Sequence, residues 1–280
     1  MTPELQNEPK LDLLGLILRA GLFILIGWLS LNVFATLLFW LTASPFITGA
    51  LATFGAAAVA NAITVRVYER GRLSALGLAW TPFSRNEFVL GVVSGALGVC
   101  AVLAVPIATG AANFEKTAGS EHVVPSLIFV TLILLFGAFG EELLFHGYAF
   151  QLLVRRMGAF ATILPAAVLF GLAHTGNTNW NWLGIFNTML WGVLFGYAYW
   201  RTSALWLPIG LHFGWNAALP LFGENLSGFT MGVTGYSLHW KTSDLWSGGA
   251  YGPEGSMLTT AVVVALFFVL HQRTVRPEED

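Results

Sequence analysis

Apolar residues fall in this chain in runs of roughly 20, the length an α-helix needs to cross the hydrocarbon core of a bilayer. Between the runs lie short polar stretches that hold most of the charge. Of the 280 residues, 56% are hydrophobic and only 10% charged, whereas a soluble domain carries about 25% charged residues. The pattern predicts an all-α fold: a polytopic transmembrane helical bundle formed as a single integral domain over 1–280. Eight helices are expected, at about 16–42, 46–65, 87–109, 124–154, 160–174, 183–200, 204–221 and 257–271. Pro45 marks a tight turn after the first. The first run is too long for the apolar part of a signal peptide and has no evident cleavage site, so it is expected to stay as a span.

Lysines and arginines set the expected orientation. With the N-terminus inside, the cytoplasmic ends collect Lys10, Arg19, Arg66, Arg70, Arg72, Arg85, Arg155, Arg156, Arg201, Arg273 and Arg276, and the outer side keeps Lys116 and Lys241. Eleven against two is a strong bias. It places both termini in the cytoplasm and agrees with an even number of spans. No basic stripe suits nucleic acid. The single cysteine, Cys100, lies inside an apolar run, where it reads as an inert buried thiol. Trp180 and Trp182 suit an interfacial aromatic belt. The longest loop, about 222–256, reads either as a lid over the outer face or as a plain connection. Glycine pairs at Gly91/Gly95, Gly192/Gly196 and Gly210/Gly214 have the small-xxx-small spacing of close helix packing.

The fourth run carries an anomaly. Eighteen uncharged residues, Val123 to Gly140, lead directly into Glu141-Glu142. A carboxylate at membrane depth costs several kcal/mol and marks a functional site by default. Neighbouring helix positions differ by about 100°, so the two glutamates face different ways, while Glu142 and His146 share a face. One glutamate can then face a cavity within the membrane while the other is held by polar partners. Structural hydrogen bonding alone would account for one buried glutamate more readily than for two. Later runs supply partners: Phe170 and His174 share one face, and so do His212 and Asn216. A glutamate poised in this way is a candidate general base for water.

The ordered set Glu141-Glu142-…-His146, Phe170-…-His174 and His212-…-Asn216, on successive membrane helices, resembles the CPBP family. These are CAAX- and bacteriocin-processing intramembrane proteases, related to the Ras-converting CAAX endopeptidases. The stretch Gly196 to Ile209 is similar to the family's usual approach to the histidine at 212. The motif-bearing core spans about 124–221. The resemblance implies endopeptidase activity on a membrane-associated or lipid-modified protein or peptide, in a multi-pass protein of a prokaryotic plasma membrane, in contact with lipid. It implies that Glu141 activates water, His174 assists, His212 and Asn216 bind a metal or the oxyanion, and Glu142 orients its neighbours. Where the family's motif ends in arginine, this chain has His146, which either holds Glu142 or adds an imidazole to the site.

Two mechanisms fit these residues. In one, a divalent metal such as zinc is held by Glu141, His174 and His212. In the other, Glu141 and His174 form a metal-free acid–base pair, with His212 and Asn216 donating to the oxyanion. Asparagine is a poor zinc ligand, which favours the second. The alternatives to a protease are a non-catalytic membrane regulator or bacteriocin-immunity protein, which His146 favours, and a proton-coupled transporter. His122, His239 and His271 read as surface histidines. Glu115, Glu121, Asp244 and Glu254 read as solvated loop carboxylates, and Gly248 to Gly255 as a turn-rich lead into the last helix.

Overall fold

A computed structural model describes residues 12–117 and 123–273; Lys10, Glu121, His122 and Arg276 lie outside them. The described residues form ten α-helical segments: α1 (Leu13–Thr42), α2 (Pro45–Thr64), α3 (Pro82–Thr109), α4 (Val123–His146), α5 (Tyr148–Met157), α6 (Ala159–Ala173), α7 (Trp182–Thr202), α8 (Trp206–Ala218), the single turn α9 (Asp244–Ser247) and α10 (Met257–Gln272). Side-chain caps fix several starts. Asp12 accepts from Gly15 N, Ser44 from Ile47 N ahead of Pro45, Thr81 from Ser84 N ahead of Pro82, and Asn181 from Gly184 N. Among the described residues, five helical stretches are long and apolar enough to cross a membrane: Leu13–Thr42, Pro45–Glu69, Pro82–Thr109, Val123–Met157 and Ala159–Gly176. The protein is an all-α polytopic bundle, as expected.

The expected fourth helix needs correction. It is two helices, α4 and α5, broken at Gly147, whose ψ of −142° leaves the helical range. Asn61 of α2 fills the break: its Nδ2 donates to the carbonyl of Leu143 and its Oδ1 accepts from Tyr148 N. A Cβ on Gly147 would collide with that carbonyl and with the amide of Asn61. Gln151 donates to the carbonyl of His146, so the broken end leaves no orphan acceptor there.

Around the site the helices pack through their glycines. Gly91 and Gly95 of α3 meet the α8 backbone at Leu207 and Leu211, while Gly210 and Gly214 of α8 meet α3 at Phe88 and Val92. At all four positions a Cβ would strike a carbonyl oxygen of the other helix. Gly192 of α7 abuts Ala167 of α6, where a Cβ would meet the Cα and Cβ of that alanine. The result is a core of Val99, Leu103, Leu194, Leu211 and Trp215, with α8 enclosed by its neighbours. Cys100, by contrast, is exposed on α3 rather than buried; the 3.6-residue period turns it away from Val99 and Val102. Trp180 and Trp182 are exposed and meet edge to face.

The long loop is a lid. Its strand β2 (Tyr236–Trp240) pairs antiparallel with β1 (Ala112–Lys116), placing Phe114 opposite Leu238. Residues 112–116, between the third and fourth helices, are therefore one strand of a two-stranded sheet. Glu224 lies buried under this sheet and accepts from Trp240 Nε1 at 2.8 Å. Burial pushes its carboxyl up to about 7, against a partial offset from that hydrogen bond.

Two outcomes follow from these contacts. Gly214→Val forces α8 away from α3 and lowers stability by about 1–3 kcal/mol, the cost of overpacking, read as a fall in the melting temperature in detergent. For Glu224, the folded carboxyl binds its proton more tightly than the unfolded one. The lid is then most stable below the ordinary carboxylate pKa and loses stability as pH rises toward and through 7. Protection factors of the Tyr236–Trp240 amides, corrected for the intrinsic rise of exchange with pH, should fall across that window in the wild type and stay level in Glu224→Gln.

Candidate active site

Glu142 lies at the centre of the polar cluster. It is fully buried on α4 and needs donors for both oxygens. Oε2 pairs with His146 Nδ1 at 2.7 Å, and Oε1 with His212 Nδ1 at 2.9 Å. A carboxylate accepts, so both Nδ1 atoms carry their protons. His146, one helical turn from Glu142, thus stands where it holds that carboxylate, and its own Nε2 is buried with no partner. It takes a place behind the site and adds no third imidazole to the cavity.

The proton on Nδ1 leaves Nε2 of His212 as the free face of the ring. That face is directed at Glu141, with Nε2 3.9 Å from Oε2. His174 arrives from the end of α6 in the same tautomer: its Nδ1 donates to the carbonyl of Phe170 at 2.8 Å, and Nε2 lies 3.6 Å from Glu141 Oε2. Aromatic rings fix both imidazoles. Phe195 stacks on His212 with centroids 5.0 Å apart, and Phe170 lies against His174 and edge-on to His212. Glu141 Oε2 is buried without a hydrogen-bond partner. Both Nε2 atoms therefore face Glu141 Oε2, and a molecule that both donates and accepts protons, such as water, bridges them.

These groups line a cavity of about 480 Å³ that also takes in Asn216, Trp191, Trp215, Thr188 and the lid residues Leu226, Ser227, Phe229, Met231 and Glu254. The donor types of Glu141, His174 and His212 suit zinc. Glu141 Oε2 lies 3.6 and 3.9 Å from the two Nε2 atoms, beyond the roughly 3.4 Å between neighbouring ligands of a tetrahedral ion, and among the described residues no three His, Cys, Asp or Glu side chains are placed to hold a metal ion.

The structure thus brings Glu141, Glu142, His146, Phe170, His174, His212 and Asn216 to one place. Sequence reasoning missed Asn61, Trp191, Phe195, Trp215 and Ser227, which carry no distinguishing spacing. It also misplaced Glu254. Far from being solvated, Glu254 is buried, its Oε1 accepts from Trp215 Nε1 at 3.1 Å, and its Oε2 accepts from the N–H and hydroxyl of Ser227. Glu115, Asp244 and His239 are exposed as expected, and His271 bonds the hydroxyl of Tyr197 at the end of α10.

Fold and site together define a polytopic helical membrane protein with a glutamate–histidine cavity enclosed by its helices. Residues 123–218, which begin where α4 begins and stop where α8 ends, match the family described as type II CAAX prenyl endopeptidase, Rce1-like. This agrees with the resemblance carried by the motifs and, at the level of the family, supports an intramembrane endopeptidase. No curated protein and no solved structure gave a match.

Glu142 accepts from two imidazoles, so removing its carboxylate strands two buried donors. Glu142→Leu should lower stability by about 2–4 kcal/mol. Thermal unfolding in detergent measures this, and a melting temperature equal to wild type would show that the imidazoles find other acceptors.

Proposed function

We propose that this protein hydrolyses a peptide bond of a membrane-associated protein or peptide, with water activated by Glu141. The observation that carries the reading is the unpartnered Oε2 of Glu141, facing Nε2 of both His174 and His212 inside the cavity. A water there donates to the carboxylate and lies within reach of both rings. Glu141 removes its proton as the oxygen attacks the carbonyl carbon, forming the C–O bond and placing negative charge on the carbonyl oxygen. Asn216 and a protonated His212 donate to that oxyanion. Glu142, buried behind His212, compensates the imidazolium, as the carboxylate does in a serine protease triad. The proton held by Glu141 passes, directly or through His174, to the departing nitrogen, and the C–N bond breaks.

Because the two Nδ1 protons are fixed by Glu142 and by the Phe170 carbonyl, each ring presents one chemically competent nitrogen to the cavity. This supports paired acid–base and oxyanion roles better than simple helix bridging. His146 supports the reading as well: it makes to Glu142 the contact a motif arginine would be asked to make, with one hydrogen bond. Both termini in the cytoplasm and a bacterial or archaeal membrane remain part of the proposal, resting on the eleven-to-two bias of basic residues.

The test is cleavage of a quenched fluorogenic peptide library by detergent-purified protein. Glu141→Ala and His174→Ala should each reduce cleavage at least about 100-fold, the scale of general acid–base catalysis, and Asn216→Ala about 100-fold as an oxyanion donor is lost. Cleavage that survives a chelator supports the metal-free route; cleavage abolished by it and restored by zinc would assign Glu141, His174 and His212 as ligands. Equal inactivity of wild type and folded variants would favour a regulatory scaffold.

A further inference from the structure

The cavity contains a second carboxylate that this mechanism leaves unused. Glu254, from the segment of the lid that leads into α10, is about nine-tenths buried and lines the same cavity as Glu141, His174 and His212. All three hydrogen bonds to its carboxylate come from neutral donors: Trp215 Nε1, Ser227 N and Ser227 Oγ. Among the described residues it makes no ion pair, and no lysine or arginine lines the cavity. Holding the lid to α8 requires only an acceptor, which an amide or a hydroxyl supplies. A carboxylate in that position adds the cost of desolvating a charge, and burial raises its proton affinity accordingly. A carboxylate offers about four lone-pair sites; three are occupied here, which leaves one on Oε1 of a residue that lines the cavity.

A second group in the cavity also lacks a partner. Trp191 of α7 is 5% exposed and lines the cavity, and its Nε1–H has no hydrogen-bond acceptor. It packs against Trp215, the residue that donates to Glu254, with ring centroids 4.8 Å apart. An unused donor and an unneutralised acceptor thus stand on adjacent walls. They complement a peptide, with Trp191 taking a backbone carbonyl and Glu254 a positively charged group.

We propose that Glu254 is a specificity determinant, recognising a lysine, arginine or amino group of the substrate on the lid side of Glu141. The proposal rests on the protease reading for its biological meaning, though binding can be measured without cleavage. The titratable groups facing the same space are Glu141, His174 and His212. When the imidazoles are neutral, no cationic group of the cavity competes for Glu254, and a bound substrate cation, unlike an uncharged side chain of equal length, favours its ionised form.

The experiment uses full-length protein in detergent carrying Glu141→Gln, so that bound peptides persist. The probes are fluorescein-labelled nonapeptides of neutral sequence in which one lysine, or one norleucine, is moved through each position. Fluorescence anisotropy should show, at one position, at least about tenfold tighter binding of the lysine peptide, the scale of a buried charge pair. Adding Glu254→Gln should bring that ratio near one, and Glu254→Asp should keep part of it. Equal binding of lysine and norleucine peptides at every position overturns the proposal without any variant, and so does a lysine preference that survives Glu254→Gln. The same peptides given to wild-type protein separate the two readings. Lysine-selective binding with no cleavage keeps the Glu254 subsite and removes the protease, whereas cleavage without lysine preference does the reverse.

Discussion

A fully buried carboxylate inside a helical bundle must be given hydrogen-bond donors, and the rest of this site follows from how Glu142 obtains them. Its two oxygens take the Nδ1 protons of His146 and His212. One bond is local, within a single turn of α4. The other joins α4 to α8 across 70 residues of chain. With Nδ1 committed, the tautomer and tilt of His212 are settled, and its Nε2 is aimed at Glu141. The adjacent glutamates thus divide the work: one is sealed in and organises, while the other meets the cavity.

That division requires α8 to sit at one height and very near α3. The four glycines at the crossing bring the two backbones together where any side chain would intrude. Lipid tails are as apolar as leucine side chains, so close van der Waals approach of this kind contributes much of the association between membrane helices. The aromatic rings that complete the packing, Phe170, Phe195 and Trp215, also form the walls around His174 and His212. Packing and site geometry are here the same contacts.

Much of this could be read in the sequence, for physical reasons. Helices announce themselves because hydrocarbon demands long apolar runs, and seven of the eight expected helices are present as single elements, while the fourth is split into α4 and α5. The polar residues at 141, 142, 146, 174, 212 and 216 stood out because ions and imidazoles are costly at that depth. What escaped notice had no such contrast. Glu254 sits in a loop where a carboxylate is ordinary, and only the tertiary path of the lid buries it. Asn61 and Gln151 serve a break at Gly147 that hydropathy cannot register, since Leu143 through Phe150 remain largely apolar on either side. β1 and β2 are about 120 residues apart, and five-residue strands of mixed polarity give little periodic signal. Cys100 was misjudged because an apolar run does not say which of its faces meets other helices.

The amide of Asn61 has a consequence for how such a chain is assembled. It satisfies the carbonyl of Leu143 and the N–H of Tyr148, both within the broken fourth span. Left bare in lipid, each of these groups would cost several kcal/mol. Asn61 precedes them by more than 80 residues, so a ribosome delivers the plug well before the break that needs it. The bend in the fourth span is thus held by a side chain of the second, which lies earlier in the chain.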